Sequence, residues 1–232
     1  MTTTAATTAT TMAAHVQEIE VQDPGAGARL GSEARAALGA ELRAAGRSGA
    51  GCLLVLVRGA AWDHAPELQR EQPEQLGQPV VAAAAALTVL LFTTGVPVVV
   101  AVEGPVSGFG LALALAADLR VATAAASLAV GPPASAAGLV GGTVWLLERA
   151  CGRALLTHLA WTGAQLTAEQ AHAHGLVSAV DEDPRGLAET LAAVPPAAAS
   201  ALKRDLTSRQ RRDLQASLDY ESWLPAVARD DR

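Results

Sequence analysis

The stretch that decides the fold is Val98-Val-Val-Ala-Val102, followed after Glu103 by Gly104-Pro-Val-Ser-Gly-Phe-Gly-Leu-Ala-Leu-Ala-Leu-Ala-Ala-Asp118. The valine run has no polar residue and reads as a parallel strand buried on both faces. Gly104, Pro105, Ser107, Gly108 and Gly110 make a turn of small residues, and the Ala/Leu run behind them reads as a helix buried on nearly every side until Asp118. This order places the backbone N–H groups of residues 108 to 111 at a helix N-terminus above a sheet. Such a terminus carries unsatisfied donors and partial positive charge, and suits a phosphate or a developing oxyanion. A dinucleotide fingerprint would need a further glycine three residues after Gly110, where Leu113 stands, so a Rossmann nucleotide site is disfavoured.

Working outward, 232 residues suffice for one large domain with a substantial core. Half of the residues are apolar but only 3% are aromatic, so each buried position contributes little area and stability is expected to lean on oligomer contacts. The net charge of −6 argues against a nucleic-acid binder. Cys52 and Cys151 show no metal-ligand spacing and read as reduced core thiols of a cytoplasmic protein. No metal site is expected. Residues 1–14, rich in Thr and Ala, read as a disordered tail without the features of a signal peptide.

The domain is expected to span residues 15–195. His15 to Val21 alternates as a half-exposed strand, a helix capped by Ser32 buries Ala37, Leu38, Leu42 and Ala45, and Cys52 to Val57 is a second buried strand. Val80 to Thr94 approaches membrane-spanning length, but Thr93-Thr-Gly-Val-Pro97 breaks it, so a buried helix is the reading and no membrane span is expected. Leu119 to Ala122 is a short strand. Thr143 to Cys151 and Arg153 to Trp161 are helices separated at Gly152, and Thr167 to Gln170 looks like a helix cap. Pro195-Pro196 opens a C-terminal helical region, residues 196–232.

The irregular stretch 58–79 leaves the C-terminal end of a strand, where α/β folds build their sites. Trp62, Asp63, His64 and Glu67 are read either as site residues or as a solvated loop with a packed tryptophan. His64 titrates near neutrality, with Asp63 or Glu67 able to orient it. His158, His172 and His174 read as helix-surface residues.

Val96-Pro-Val-Val-Val-Ala-Val-Glu-Gly104, Ser107-Gly-Phe-Gly110 and Leu113 to Ala122 together resemble the crotonase (enoyl-CoA hydratase/isomerase) superfamily. So do Gly141-Gly142, Gly152-Arg-Ala154, Thr162-Gly163, Leu166 to Ala171, Gly175-Leu-Val177 and Ala201-Leu-Lys203, in order and spacing. The resemblance implies an α/β fold of repeated ββα units with a C-terminal helical region, assembled as a homotrimer or hexamer. It also implies an acyl-thioester substrate whose carbonyl oxygen sits between two backbone N–H groups. One matches Phe109, next to Gly110; the other falls in Ala65-Pro66-Glu67-Leu68, where Pro66 has no N–H to give and Ala65 or Glu67 would have to supply it.

The family's two catalytic glutamates match Ala112 and Pro132, neither of which moves a proton, so ordinary enoyl-CoA hydration is not expected. Asp63, His64 and Glu67 are then the candidate catalytic groups. Lys203 and Arg204 are candidates to contact the phosphates of coenzyme A, which enters, like phosphopantetheine, as part of the substrate rather than as a resident cofactor. Two functions remain open. One is an enzyme of specialised, for example polyketide, metabolism that decarboxylates, dehydrates, isomerises or cyclises an acyl thioester. The other is a non-catalytic helper subunit that binds a partner synthase, an acyl carrier protein or a thioester product.

Overall fold

The computed structural model describes residues 9–13, 16–21, 32–58, 78–131 and 139–222. The strands β2 (Val16–Val21), β3 (Cys52–Val57), β4 (Val98–Val102), β6 (Leu119–Ala122) and β9 (Ala179–Val180) run parallel in one sheet, with β1 (Ala9–Ala13) antiparallel on its edge, in the order β1-β2-β3-β4-β6-β9. A second sheet holds β5 (Pro105–Ser107), β7 (Ser127–Ala129) and β8 (Gln165–Thr167). Around them lie α1 (Ser32–Ala45), α2 (Gln78–Thr93), α3 (Phe109–Ala116), α4 (Thr143–Thr162), α5 (Ala168–Ala173), α6 (Arg185–Ala192) and α7 (Pro196–Glu221).

The period of two along β3 and β4 sorts their side chains between two cores. Leu53, Val55, Val57, Val98, Val100 and Val102 face the core built with α1, α2, α3 and α4. Cys52, Leu54, Leu56, Val99 and Ala101 face a second core closed by Ala188 and Ala192 of α6. Both faces are covered, which is why the two strands carry uninterrupted apolar sequence. Helix α6 follows Pro184 and has an apolar stripe only two turns long; sequence reading did not identify it.

Cover on the second face also corrects the reading of β2 as half-exposed. Gln17 and Glu18 are buried, and the Glu18 carboxylate meets the Arg185 guanidinium of α6 at 2.9 Å. The tail reading needs the same correction at Ala9–Ala13, which pair with β2 because that strand's outer edge offers unpaired backbone groups. Helix α4 breaks at Gly152 (φ 81°, ψ 161°), as its sequence indicates, and Thr167 and Gln170 form a reciprocal capping box on α5.

The C-terminal helix is tied to the sheet by a buried charge. Lys203 Nζ donates to Asp118 Oδ2 at 2.6 Å and to the Val96 carbonyl at 2.9 Å, and Asp118 Oδ2 also accepts from Val98 N–H. Burial pulls the ammonium pKa down while Asp118 opposes the shift, so the pair holds α7 in place at a desolvation cost. Burial, seconded by Asp118, pushes the Cys52 thiol up to about 12, which removes it as a nucleophile at neutral pH. Among the described residues no helix is long and apolar enough to cross a membrane. Lys203→Ala is expected to cost about 2–3 kcal/mol in chemical denaturation, because it strands the Asp118 carboxylate and the Val96 carbonyl; a loss below about 0.5 kcal/mol would show that the pair does not hold α7.

Candidate active site

Strand β4 is followed by Glu103, whose N–H donates to the Val57 carbonyl at 2.9 Å, so β3 and β4 leave the sheet side by side. Arg58 meets Glu20 at 3.0 Å and Glu103 at 3.4 Å, joining the exits of β2, β3 and β4. The arginine is 51% exposed, so the cluster's value is alignment of three chain exits rather than stability. Glu103 therefore braces the chain where it leaves β4 toward the turn.

From there β5 carries the chain to Gly108, at φ 53° and ψ −123°, a conformation that a side chain would oppose. Gly108 N–H donates to the Ala129 carbonyl of β7 at 3.3 Å, and α3 begins at Phe109, ahead of the Ala/Leu run, and ends at Ala116, before the run's last alanine. The first bond inside the helix runs from Ala112 N–H to the Gly108 carbonyl at 3.1 Å, so Phe109, Gly110 and Leu111 form its first turn. At the other end, Arg120 donates to the Ala117 carbonyl at 3.0 Å and to the Leu176 carbonyl at 2.6 Å. A cation there complements the negative end of the helix dipole, leaving the positive end toward the site.

All eight residues of α3 are buried. Ala112 is fully buried, so a methyl group stands where the family resemblance calls for a carboxylate. The Phe109 ring packs beneath the turn against Gly141: a Cβ on Gly141 would lie 2.6 and 2.7 Å from its Cδ2 and Cε2. Gly141 has φ +78°, and its carbonyl accepts from Thr88 Oγ1 of α2 at 2.9 Å.

Sequence reasoning missed Glu221. Its residue is 3% exposed, and both carboxylate oxygens accept from Gly142 N–H at 3.0 Å, at the start of α4. Burial pushes its pKa up to about 7, against the pull of the Gly142 and Gly141 amides. The signal was available: Leu214, Leu218 and Glu221 fall at i, i+4 and i+7, on one stripe of α7. That stripe also packs the chain beyond Arg212 into the core through Leu214 and Leu218.

Of the other candidates, Lys203 needs correction. Its ammonium is turned inward to Asp118 and Val96, so it is not placed to meet coenzyme A phosphates, whereas Arg204 is exposed. Asp63, His64, Ala65 and Glu67, with Trp62, Pro66 and Pro132, lie outside the described residues. His158 and His174 are exposed, and His172 Nδ1 lies 3.1 Å from the Val177 carbonyl. Trp145 stacks edge-on against Phe92, while Trp161 is 73% exposed. Among the described residues no three His, Cys, Asp or Glu side chains group as metal ligands. A groove of about 600 Å³ between α1, α2 and α7, lined by Val81, Ala85, Val89 and Leu218, includes none of the turn residues 103–112 or 139–142.

The Glu221 environment fixes a pH dependence. Between the ordinary carboxylate value of 4.5 and about 7, the folded chain holds a proton that the unfolded chain has lost, so stability falls as pH rises through that window. Glu221→Gln keeps an acceptor for Gly142 and removes the titration. Its unfolding temperature is expected to vary less than the wild type's between pH 5 and 8, with the variant gaining relative stability at pH 8. Parallel pH profiles for the two proteins would contradict this.

The sequence model of the enoyl-CoA hydratase/isomerase family matches residues 61–226. The chain is 37% identical over 134 residues to the 1,2-epoxyphenylacetyl-CoA isomerase of Escherichia coli, covering 54% of this chain and 50% of that protein. It is 34% identical over 142 residues to the (E)-benzylidenesuccinyl-CoA hydratase of Thauera aromatica, covering 58% and 55%. In these alignments the chain spans about half the length of the curated relatives it matches. The crystal structure of an enoyl-CoA hydratase from Bacillus halodurans shares the fold, with a TM-score of 0.82 at 20% identity over 95% of this chain and 94% of that one. The chain belongs to the enoyl-CoA hydratase/isomerase, or crotonase, family.

Proposed function

We propose that this protein acts on an acyl thioester by stabilising the enolate formed from it, and that the N-terminal turn of α3 is where the thioester carbonyl oxygen sits. The observation that carries this reading is the turn itself, with Gly108 at a glycine-only conformation and α3 buried and neutralised at its far end by Arg120. Removing the α-proton sends an electron pair through the α-carbon to the carbonyl oxygen, and a fixed helix terminus stabilises that charge without reorganising. The relatives' names, 1,2-epoxyphenylacetyl-CoA isomerase and (E)-benzylidenesuccinyl-CoA hydratase, favour a coenzyme A thioester as substrate. Buried Ala112 weighs against simple enoyl hydration, which needs an acid and a base on one face of the substrate. Isomerisation leads the set, with decarboxylation, dehydration and cyclisation also compatible with an enolate, and the reaction could serve polyketide or other specialised metabolism.

In this reading the proton passes to a group of the segment that follows β3 in sequence, with His64 as base and Asp63 or Glu67 orienting it, and Ala65 supplies the second carbonyl donor. Exposed Arg204 is the remaining candidate for the coenzyme A or phosphopantetheine phosphates. Exposed Trp161, Leu202, Leu206 and Tyr220 suit a homotrimer or hexamer, and the free cysteines suit the reducing cytoplasm. The second reading, a helper subunit that holds a thioester or a carrier protein without turning it over, is favoured by the methyl group of Ala112 where a carboxylate would act.

Incubation with acyl-CoA and acyl-pantetheine thioesters in D2O, including phenylacetyl-CoA, is expected to place deuterium at the α-carbon. Replacing Asp63, His64 and Glu67 together by Asn, Gln and Gln is expected to slow that uptake by about 10²-fold or more, the contribution typical of a general base. Full uptake by the triple variant would remove these residues from the site. Binding without uptake by the wild type would favour the helper subunit.

A further inference from the structure

The Val140–Thr143 segment is gripped from two sides. On one side α7 delivers Leu214, Leu218 and Glu221: a Cβ on Gly142 would lie 2.9 Å from Leu214 Cδ1 and 3.5 Å from Leu218 Cδ2, and Gly142 N–H is held by both Glu221 oxygens. On the other side Gly141 lies against the Phe109 ring and is tied to α2 through Thr88. Gly141 and Gly142 have φ +78° and +83°, so a side chain at either position would be strained as well as crowded. Displacing Gly142 displaces the surface on which the Phe109 ring rests, and Phe109 is the first residue of α3.

We propose that Glu221 is a positioning residue for the active site: by holding Gly142 it seats Gly141 against the Phe109 ring and fixes the first turn of α3. The contact is direct at each step, from carboxylate to amide, from glycine to the next glycine, and from that backbone to the ring. A residue near the end of the C-terminal helix thereby sets the geometry of a turn more than 100 residues earlier in the chain. The catalytic part of this role rests on the reading that the turn polarises a thioester carbonyl; the mechanical part does not.

Hydrogen exchange of the full chain without ligand tests the mechanical part. Glu221→Ala leaves the Gly142 amide without its acceptor, and peptides covering 140–146 and 109–113 are both expected to exchange about tenfold faster, the scale of one lost hydrogen bond to a buried amide. Cys52–Val57, which Glu221 does not touch, is expected to keep its protection. Glu221→Gln, which still offers an oxygen to Gly142, is expected to restore both segments to within about twofold of wild type. Faster exchange confined to 140–146 would reduce Glu221 to a cap on α4 and overturn the proposal. Loosening that reaches Cys52–Val57 equally would overturn it as well, since the effect would then be global.

Deuterium uptake by the thioester tests the catalytic part. The Ala variant is expected to lose kcat with little change in KM, with the Gln variant recovering most of it. A wild type that neither binds nor exchanges any thioester would remove the functional reading while leaving the hydrogen-exchange result to decide the linkage.

Discussion

Everything in this fold depends on how an eight-residue helix is held when all of its residues are buried. An isolated helix of that length does not persist in water, so α3 exists only because its surroundings determine it. Gly108 turns the chain from β5 into the helix, and β7 anchors that turn through the Ala129 carbonyl. Arg120 meets the carbonyls at the far end. Small side chains at Ala112, Ala114 and Ala116 let α2 and α4 close on the helix from either side. The consequence is electrostatic: a rigid, buried dipole whose positive end faces the turn and whose negative end is neutralised.

The polar groups that burial would penalise are used as fasteners. Lys203 and Asp118 join α7 to the sheet, Glu18 and Arg185 join α6 to β2, and Glu221 joins the end of α7 to the start of α4. Each pair links elements distant in sequence, so its value lies in fixing which element sits where. The same groups explain how an alanine-rich chain, with little apolar area per residue, holds one arrangement. They also divide the labour along α7: its Lys203 end fastens the helix to the sheet, and its Glu221 end reaches the site.

What could be read from the sequence was local. The uninterrupted valines of β4, the run Cys52–Val57, the break at Gly152 and the Thr167–Gln170 box all carry their signal within a few residues, and the structure has each of them. The three-residue strands β5 and β7 were read as turn or left out because three residues cannot show a period. Glu18 looked like part of the exposed face of β2 because the partner that covers it, Arg185, lies 167 residues away. Lys203 looked like a surface cation for the same reason, its carboxylate partner being on another element. The family resemblance was carried by the glycine turn that precedes α3. It carried no information on Glu221, whose importance comes from three-dimensional proximity to Gly142.

The central claim is that the first turn of α3 polarises a thioester carbonyl, and carbon-13 NMR of the bound substrate tests it most directly. With an acyl-CoA labelled at the thioester carbonyl carbon, the account predicts a downfield shift of that resonance on binding, since donors aimed at the oxygen draw electron density from the carbon. A labelled thioester that binds with its carbonyl resonance unchanged from free solution would contradict the account.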